Sequence, residues 1–243
     1  MVAALFGWLW WWILPARKRL AVRAYQRAFP GRDPRELAAG VGEVCRGYLD
    51  LLRGRYGRVE GAAAVAGGGL ALAGHLSCWD LALVSGGRVA PVTIFVKPPS
   101  NRLAAALIRR LRTRADVELL PPTGSMAAAE AALDRGRLVI FVQDQRHNAG
   151  IAVDFFGQPA RTSAAFAALV YRRRPRVFGI TQGYEADGAF VVRVRPLEME
   201  VPEPREAAIL AITAASQAFY EGAIQARPWA WWWLHDRWKR PAS

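Results

Sequence analysis

Short apolar runs alternate with longer Ala- and Arg-rich stretches from Gly67 onward. Runs of about 4–8 apolar residues bounded by Gly, Pro or polar residues are typical of buried strands, and longer stretches with apolar positions three or four apart are typical of helices. The predicted strands are Gly69–Ala73, Val92–Val96, Val117–Leu119, Leu138–Val142, Val177–Thr181 and Phe190–Val194. The predicted helices are Asp80–Arg88, Leu103–Arg112, Ser125–Arg135, Ser163–Arg172 and Glu206–Gln225.

This alternation predicts an α/β fold with a mostly parallel central sheet flanked by helices. Residues 17–53 are predicted to be helical with a break near Phe29-Pro30-Gly31, and the Trp-rich end of the chain is predicted to be a further helix. We expect residues 1–30 to form a membrane-associated helical segment and residues 31–243 to form one α/β domain. Ligand sites of open α/β sheets lie beyond the carboxyl ends of the strands, so the residues after Ala73 and Val142 are the first place to look for chemistry.

Tryptophan and basic residues are concentrated at the two ends of the chain. Tryptophans that cluster beside Lys and Arg are typical of segments at an anionic membrane surface. The 33 Lys and Arg against 20 Asp and Glu give a net charge of +13, which favours anionic partners, but no nucleic-acid-binding motif accompanies this charge. The sequence therefore predicts an anionic membrane surface, and not nucleic acid, as a partner. The clustered tryptophans are Trp8, Trp10, Trp11 and Trp12 at one end, and Trp229, Trp231, Trp232, Trp233 and Trp238 at the other.

The first apolar segment, Val2–Leu14, ends at Pro15 and is shorter than the roughly 20 residues that a spanning helix needs. We therefore expect it to insert shallowly into a membrane. The bases that follow it favour a cytoplasmic location for the rest of the chain.

A histidine and an aspartate follow the first predicted strand of the sheet. His75 follows this strand after Gly74, and Asp80 lies five residues later, with Ser77 as the predicted N-cap of the next helix. If the turn folds Asp80 back beneath the imidazole, the carboxylate accepts one ring N–H and leaves the other nitrogen free to take a proton. The pair is then a general base with its orienting anion. The alternative is a buried pair with a structural role only.

The segment around His75 resembles the His-x4-Asp/Glu motif of glycerolipid and lipid A acyltransferases. The rest of the chain resembles the lipid A late acyltransferase family, although Asp80 stands where this branch usually has Glu. The matching segments are Phe29-Pro30, Gly74–Asp80, Val96-Lys97-Pro98 with Asn101, Arg112 and Arg114, Asp144, Val153–Ala160 and Trp233–Pro241.

The resemblance implies transfer of a fatty acyl chain from an acyl carrier protein or acyl-CoA thioester to a hydroxyl of a lipid A precursor. His75 would act as the base and Asp80 as its partner. Arg112 or Arg114 would stabilise charge on the thioester oxygen or hold an acceptor phosphate. Lys97 and Asn101 would help to bind the acceptor, and Asp144 would shape the binding site. No cofactor or metal is implied, and the expected location is the cytoplasmic face of a bacterial inner membrane.

Three alternatives stay open at this point. The same chemistry could act on a lysophospholipid, an aminolipid or a mannosylated lipid. Cys78, next to this motif, could instead be a nucleophile that forms an acyl-enzyme. The protein could also bind anionic membranes without catalysis. This alternative leaves the presence of both His75 and Asp80 unexplained.

Overall fold

A computed structural model describes residues 2–14, 16–97 and 101–239, so Pro98, Arg240 and Pro241 of the motifs above lie outside the described residues. The main sheet has seven strands in the order β1-β9-β8-β2-β5-β3-β4. Every neighbouring pair is parallel except β8 and β9. Its strands are β1 (Arg58–Glu60), β2 (Gly69–Ala73), β3 (Val92–Phe95), β4 (Val117–Leu120), β5 (Leu138–Phe141), β8 (Val177–Tyr184) and β9 (Phe190–Pro196).

All six predicted strands are present, and the predicted α/β class is confirmed. Strand β1 and the separate hairpin of β6 (Ile151–Asp154) and β7 (Pro159–Thr162) were not predicted. β1 is only three residues long, and the alternation of side chains in the hairpin is interrupted by the Phe155–Gln158 turn, so neither gives a clear periodic signal.

The helices cover both faces of the sheet. They are α1 (Val2–Trp12), α2 (Lys18–Ala28), α3 (Leu37–Leu52), α4 (Trp79–Gly87), α5 (Arg102–Arg112), α6 (Met126–Asp134), α7 (Ala165–Arg173) and α8 (Arg205–Ala226). On one face Leu70, Leu72 and Phe141 pack with residues of α6, α7 and α8. On the other face Ala71 and Ile140 pack with residues of α3, α4 and α5. Side chains of a strand alternate between the faces, so each strand contributes to both cores.

Helix α1 packs on α3 with one side and leaves its other side exposed. A Cβ at Gly7 would lie 2.1 Å from the carbonyl oxygen of Ala38, so only glycine permits this close approach. On the opposite side Leu5, Trp8 and Trp12 are more than half exposed and fall three and four residues apart, which places them on one helical face. The boundary at residue 30 stays a prediction.

Among the described residues, only α8 is long and apolar enough to cross a membrane. Its buried side chains include Ile212 and Tyr220, which belong to the hydrophobic core beneath the sheet. Packing within the protein therefore accounts for part of its apolar character, since 39% of its apolar stretch is buried.

The C-terminal Trp-rich segment differs from the prediction in two ways. It begins with a 3₁₀ turn, Pro228–Ala230, and continues as irregular chain that forms no α-helix within the described residues. Trp231 and Trp233 are 3% and 0% exposed, so they belong to the core and not to a membrane surface. Their indole rings pack edge to face with centroids 4.6 Å apart. The membrane interpretation is wrong for these two tryptophans because buried aromatic packing explains them.

Candidate active site

His75 and Asp144 meet at the carboxyl ends of two neighbouring strands. The register of β2 and β5 places Leu72 opposite Phe141, so three residues further along each chain His75 comes beside Asp144. The ring Nδ1 of His75 lies 2.8 Å from Asp144 Oδ1, and the backbone N–H of His75 donates to Asp144 Oδ2 at 2.7 Å. The carboxylate thus holds both the ring and the backbone of His75.

Asp144 is completely buried and accepts a third hydrogen bond, from the indole N–H of Trp231 at 2.8 Å. Burial raises the pKa of Asp144, but the nearby charge of His75 and the hydrogen bonds from His75 and Trp231 outweigh it and hold the pKa below its ordinary value. An ionised carboxylate accepts only, so the His75 proton sits on Nδ1 and Nε2 is the free basic nitrogen.

The prediction that Asp80 accepts a hydrogen bond from His75 is wrong. Asp80 lies in the first turn of α4, and its carboxylate accepts from Tyr48 Oη at 2.5 Å and from Arg112 Nε at 2.7 Å. The N-cap of this helix is Cys78 and not Ser77, which takes a left-handed conformation with φ 46°. This turn directs Asp80 toward α3 and α5, while the strand register brings Asp144 to His75.

Of the two candidate arginines, Arg112 lies at the site and Arg114 does not line the cavity beside His75. Arg112 lines the same cavity as His75, and its buried ion pair with Asp80 fixes the guanidinium in place. Arg114 donates from Nη1 to the carbonyl oxygen of Leu51 at 2.7 Å, which anchors the end of α3. The geometry therefore separates a candidate functional arginine from a structural one.

The two weaker candidates for acceptor binding also occupy different places. Lys97 lines the cavity, just after β3. Asn101 is exposed, and its side chain caps α5 by accepting from the backbone N–H groups of Leu103 and Ala104, each at 3.0 Å. This capping role accounts for Asn101 without a ligand.

A largely apolar cavity of about 570 Å³ opens beside His75. This volume is within the usual range of ligand pockets, about 300–1,000 Å³. Its lining includes Gln143 at the carboxyl end of β5 and Leu138 at the other end, a distance of roughly 17 Å along the strand. The apolar lining between the sheet and α4 includes Val65, Leu83, Val92, Ile94, Ile140 and Ile180.

The remaining cysteine and histidine candidates have other surroundings. Burial raises the pKa of the Cys78 thiol to about 12, which removes the thiolate that a nucleophile requires. His235 Nε2 accepts the backbone N–H of Arg146 at 3.0 Å, and burial lowers its pKa to about 4. His147 is exposed at the rim of the cavity. Within the described residues, no three or more His, Cys, Asp or Glu side chains are grouped to hold a metal ion.

A comparison with protein families tests the resemblance. Residues 57–240 match the family described as bacterial lipid A biosynthesis acyltransferase, which is more than half of the chain. The chain belongs to this family. The lipid A acyltransferase match includes His75, Asp80, Arg112 and Asp144, so every residue of the site described above except Tyr48 falls inside it. A comparison with curated proteins finds no match.

The sequence predicted several residues of this candidate site but not Tyr48 or Trp231. Tyr48 and Trp231 carry no motif that marks them, because each acts through one hydrogen bond set by the fold. The proximity of His75 and Asp144, in contrast, could have been predicted from the sequence. Each residue lies two positions after the end of a predicted strand, and adjacent parallel strands would bring the two together.

Proposed function

We propose that this lipid A acyltransferase-family protein moves a fatty acyl chain from a carrier thioester to a hydroxyl of a lipid A precursor or a related lipid. The observation that carries the proposal is the ion-paired His75 at the mouth of the apolar cavity. A base held by a buried anion beside an apolar channel suits a reaction in which a hydroxyl attacks an acyl group.

In the proposed reaction, His75 Nε2 takes the proton of the acceptor hydroxyl as the oxygen attacks the thioester carbonyl carbon. Asp144 stabilises the imidazolium that forms, through the 2.8 Å hydrogen bond to Nδ1. When the intermediate collapses, the C–S bond breaks and the thiolate takes the proton from His75. The products are an ester and the free thiol of the carrier.

Arg112 is proposed to stabilise the negative charge that develops on the thioester oxygen or on an acceptor phosphate. Asp80 and Tyr48 take the positioning role for Arg112: the carboxylate binds Nε and Tyr48 donates to the other carboxylate oxygen. Burial, and then the charge of Asp80, raise the pKa of Tyr48, so its hydroxyl keeps the proton that it donates. Preorganised donors of this kind stabilise a transition state without reorganisation.

The acyl chain is proposed to lie in the cavity between α4 and the sheet, with the thioester at His75. The net charge of +13 favours an acidic acyl carrier protein as donor over a neutral one, and acyl-CoA is the other source of the same thioester.

We also propose that the protein binds the cytoplasmic face of a bacterial inner membrane through α1. Leu5, Trp8 and Trp12 form an exposed face there, and the ammonium of Lys18 lies 3.9 Å from the centre of the Trp11 ring. The double substitution Leu5→Glu with Trp8→Glu should abolish sedimentation with anionic phospholipid vesicles. Leu210→Glu, at an exposed leucine of α8, should not. Equal binding by both variants would exclude α1 as the contact.

The test of the proposed activity is His75→Ala, assayed by mass spectrometry of lipid products with acyl carrier protein and acyl-CoA donors. We expect a loss of about 10²–10⁴-fold or more, because the reaction loses its base. His147→Ala is the matched control, since it removes an exposed imidazole at the rim of the same cavity. Full activity of His75→Ala would reject the proposal. Product found only on other lipids would keep the chemistry and change the acceptor.

A further inference from the structure

The side-chain amide of Gln143 is buried beside the His75–Asp144 pair without a hydrogen-bond partner. Gln143 is 6% exposed, and neither its Nε2 nor its Oε1 bonds to another group in the part of the chain that the structure describes. Buried polar groups are nearly always paired, and an unpaired one is expensive to keep. An amide left free in such a place is available to hydrogen-bond a ligand.

The backbone of Gln143, in contrast, is fixed firmly. Its N–H donates to the hydroxyl of Tyr220 at 3.2 Å, and its carbonyl oxygen accepts from Gln217 Nε2 at 3.4 Å. Asp144, the next residue, is bound to His75 through two hydrogen bonds. The free amide is thus attached to the most firmly positioned part of the site.

Gln143 also lines the same cavity as His75 and Arg112. Leu72 of β2 pairs with Phe141 of β5, and Gly74 and Gln143 each lie two residues beyond this pair. Gln143 is therefore beside the residue that directly precedes His75. Gln143 therefore lies beside His75 at the cavity, where the thioester would lie if its acyl chain filled the cavity. Rotation about the last side-chain bond can present the NH₂ group there, because no bond to the protein opposes it.

We infer that Gln143 Nε2 donates a hydrogen bond to the carbonyl oxygen of the acyl thioester and holds the oxyanion formed when the hydroxyl attacks. This inference rests on the proposed function. The attacking oxygen forms a bond to the carbonyl carbon, the C=O electron pair moves to the oxygen, and the hydroxyl proton moves to His75 Nε2. When the electron pair returns, the C–S bond breaks and the thiolate takes that proton. Gln143 donates throughout and exchanges no atom.

An amide that acts on substrate and an amide that supports the fold respond oppositely to the same substitution. Gln143→Met keeps the length of the side chain and removes both polar atoms. Since neither atom is paired in the protein, the substitution should leave thermal stability unchanged or raise it. If the amide stabilises the oxyanion, kcat should fall about 10²–10³-fold with little change in KM.

Gln217→Met is the matched control for stability, because Gln217 is also buried but both of its side-chain polar atoms are paired. Its Nε2 donates to Gln143 and its Oε1 accepts from Arg237 at 3.0 Å. This variant should lose thermal stability, and its loss is the reference for removing a buried amide that is paired in the fold. A carrier loaded with an alkyl thioether, which lacks the carbonyl, should bind Gln143→Met as tightly as the unsubstituted protein.

Three outcomes separate the possibilities. A low kcat of Gln143→Met, with unchanged stability and unchanged thioether binding, supports the inference. A kcat within threefold of the unsubstituted protein, or a loss of stability equal to that of Gln217→Met, overturns it while the proposed function stands. If the folded, unsubstituted protein itself transfers no acyl group to any lipid, the proposed function fails and this inference fails with it.

Discussion

Asp144→Asn tests the central geometry of the site, because it removes the charge and keeps the shape. Asp144 Oδ2 accepts two N–H groups, from the His75 backbone and from Trp231, and Oδ1 accepts from the His75 ring. Asparagine has only one side-chain oxygen, and we expect this oxygen to occupy the position of Oδ2, where two N–H groups donate. Its NH₂ group then faces His75 Nδ1, which must accept. The proton moves to Nε2, and the imidazole presents no base to the acceptor.

The expected loss follows from this change of tautomer. In a serine protease triad the corresponding substitution lowers kcat by about 10⁴, and a loss of that order corresponds to about 5.4 kcal/mol of transition-state stabilisation. Because the pKa of Asp144 is held below its ordinary value of 3.8, the carboxylate is charged at any ordinary assay pH. Its contribution to stability is present above that value and is lost only as pH falls through the folded-state pKa.

Two measurements separate the tautomer explanation from a general loss of structure. The chain has only three histidines, so ring ¹⁵N spectra of histidine-labelled protein should resolve His75 and report which nitrogen carries the proton. Asp80→Asn is the comparison: it leaves this tautomer unchanged but deprives the buried Arg112 of its anion, at a cost of roughly 3–5 kcal/mol of stability. An Asp144→Asn variant within tenfold of the unsubstituted kcat, or an Nδ1–H tautomer in it, would refute the reasoning.

Three further predictions follow from the same geometry. Arg112→Gln should lower kcat/KM at least tenfold. Arg114→Gln should lower only the thermal midpoint, because it loses the hydrogen bond to the end of α3. The reverse result would exchange the roles of the two arginines. Gly86→Met should shift the products toward shorter acyl chains by mass spectrometry, because Gly86 lines the cavity and a Cβ there meets nothing within 4 Å; an unchanged profile would place the acyl chain elsewhere. Burial lowers the pKa of His235 from 6.5 to about 4, so the unfolded chain binds more protons between these values, and the thermal midpoint should fall as pH drops from 6.5 to 4. His235→Gln, which keeps an acceptor for Arg146 N–H, should flatten that dependence; an unchanged slope would assign it to other groups.

The sequence was most informative where periodicity and strand ends carry the signal. The apolar runs at Gly69–Ala73 and Leu138–Val142 predicted two central strands to within one residue. The residues after them include His75 and Asp144. Because a parallel sheet places strand ends at one edge, their proximity follows from topology once β2 and β5 are known to be neighbours. Strand order is a long-range property, and the pattern of one chain does not encode it locally.

The choice of Asp80 as the partner of His75 failed for a related reason. Spacing of five residues made Asp80 the nearest acid in the sequence, but the direction of its side chain depends on the left-handed turn at Ser77. That turn is held by a hydrogen bond from the Ser77 N–H to the carbonyl oxygen of Ala230, some 150 residues away along the chain. A local motif therefore marked His75 and Asp80 as candidates and gave them the wrong pairing.

Composition alone assigned the C-terminal tryptophans to the membrane, but hydrogen bonds within the protein explain the positions of two of them. Trp231 donates to the buried carboxylate of Asp144, and the backbone N–H of Trp232 donates to the carbonyl oxygen of His75 at 2.9 Å. The final segment is therefore part of the scaffold that holds His75 and Asp144, and Asp144 is completely buried there. A carboxylate in that position can stay ionised only if its donors are supplied by the protein. Indole is well suited to this, because it combines a large apolar surface with a single N–H donor.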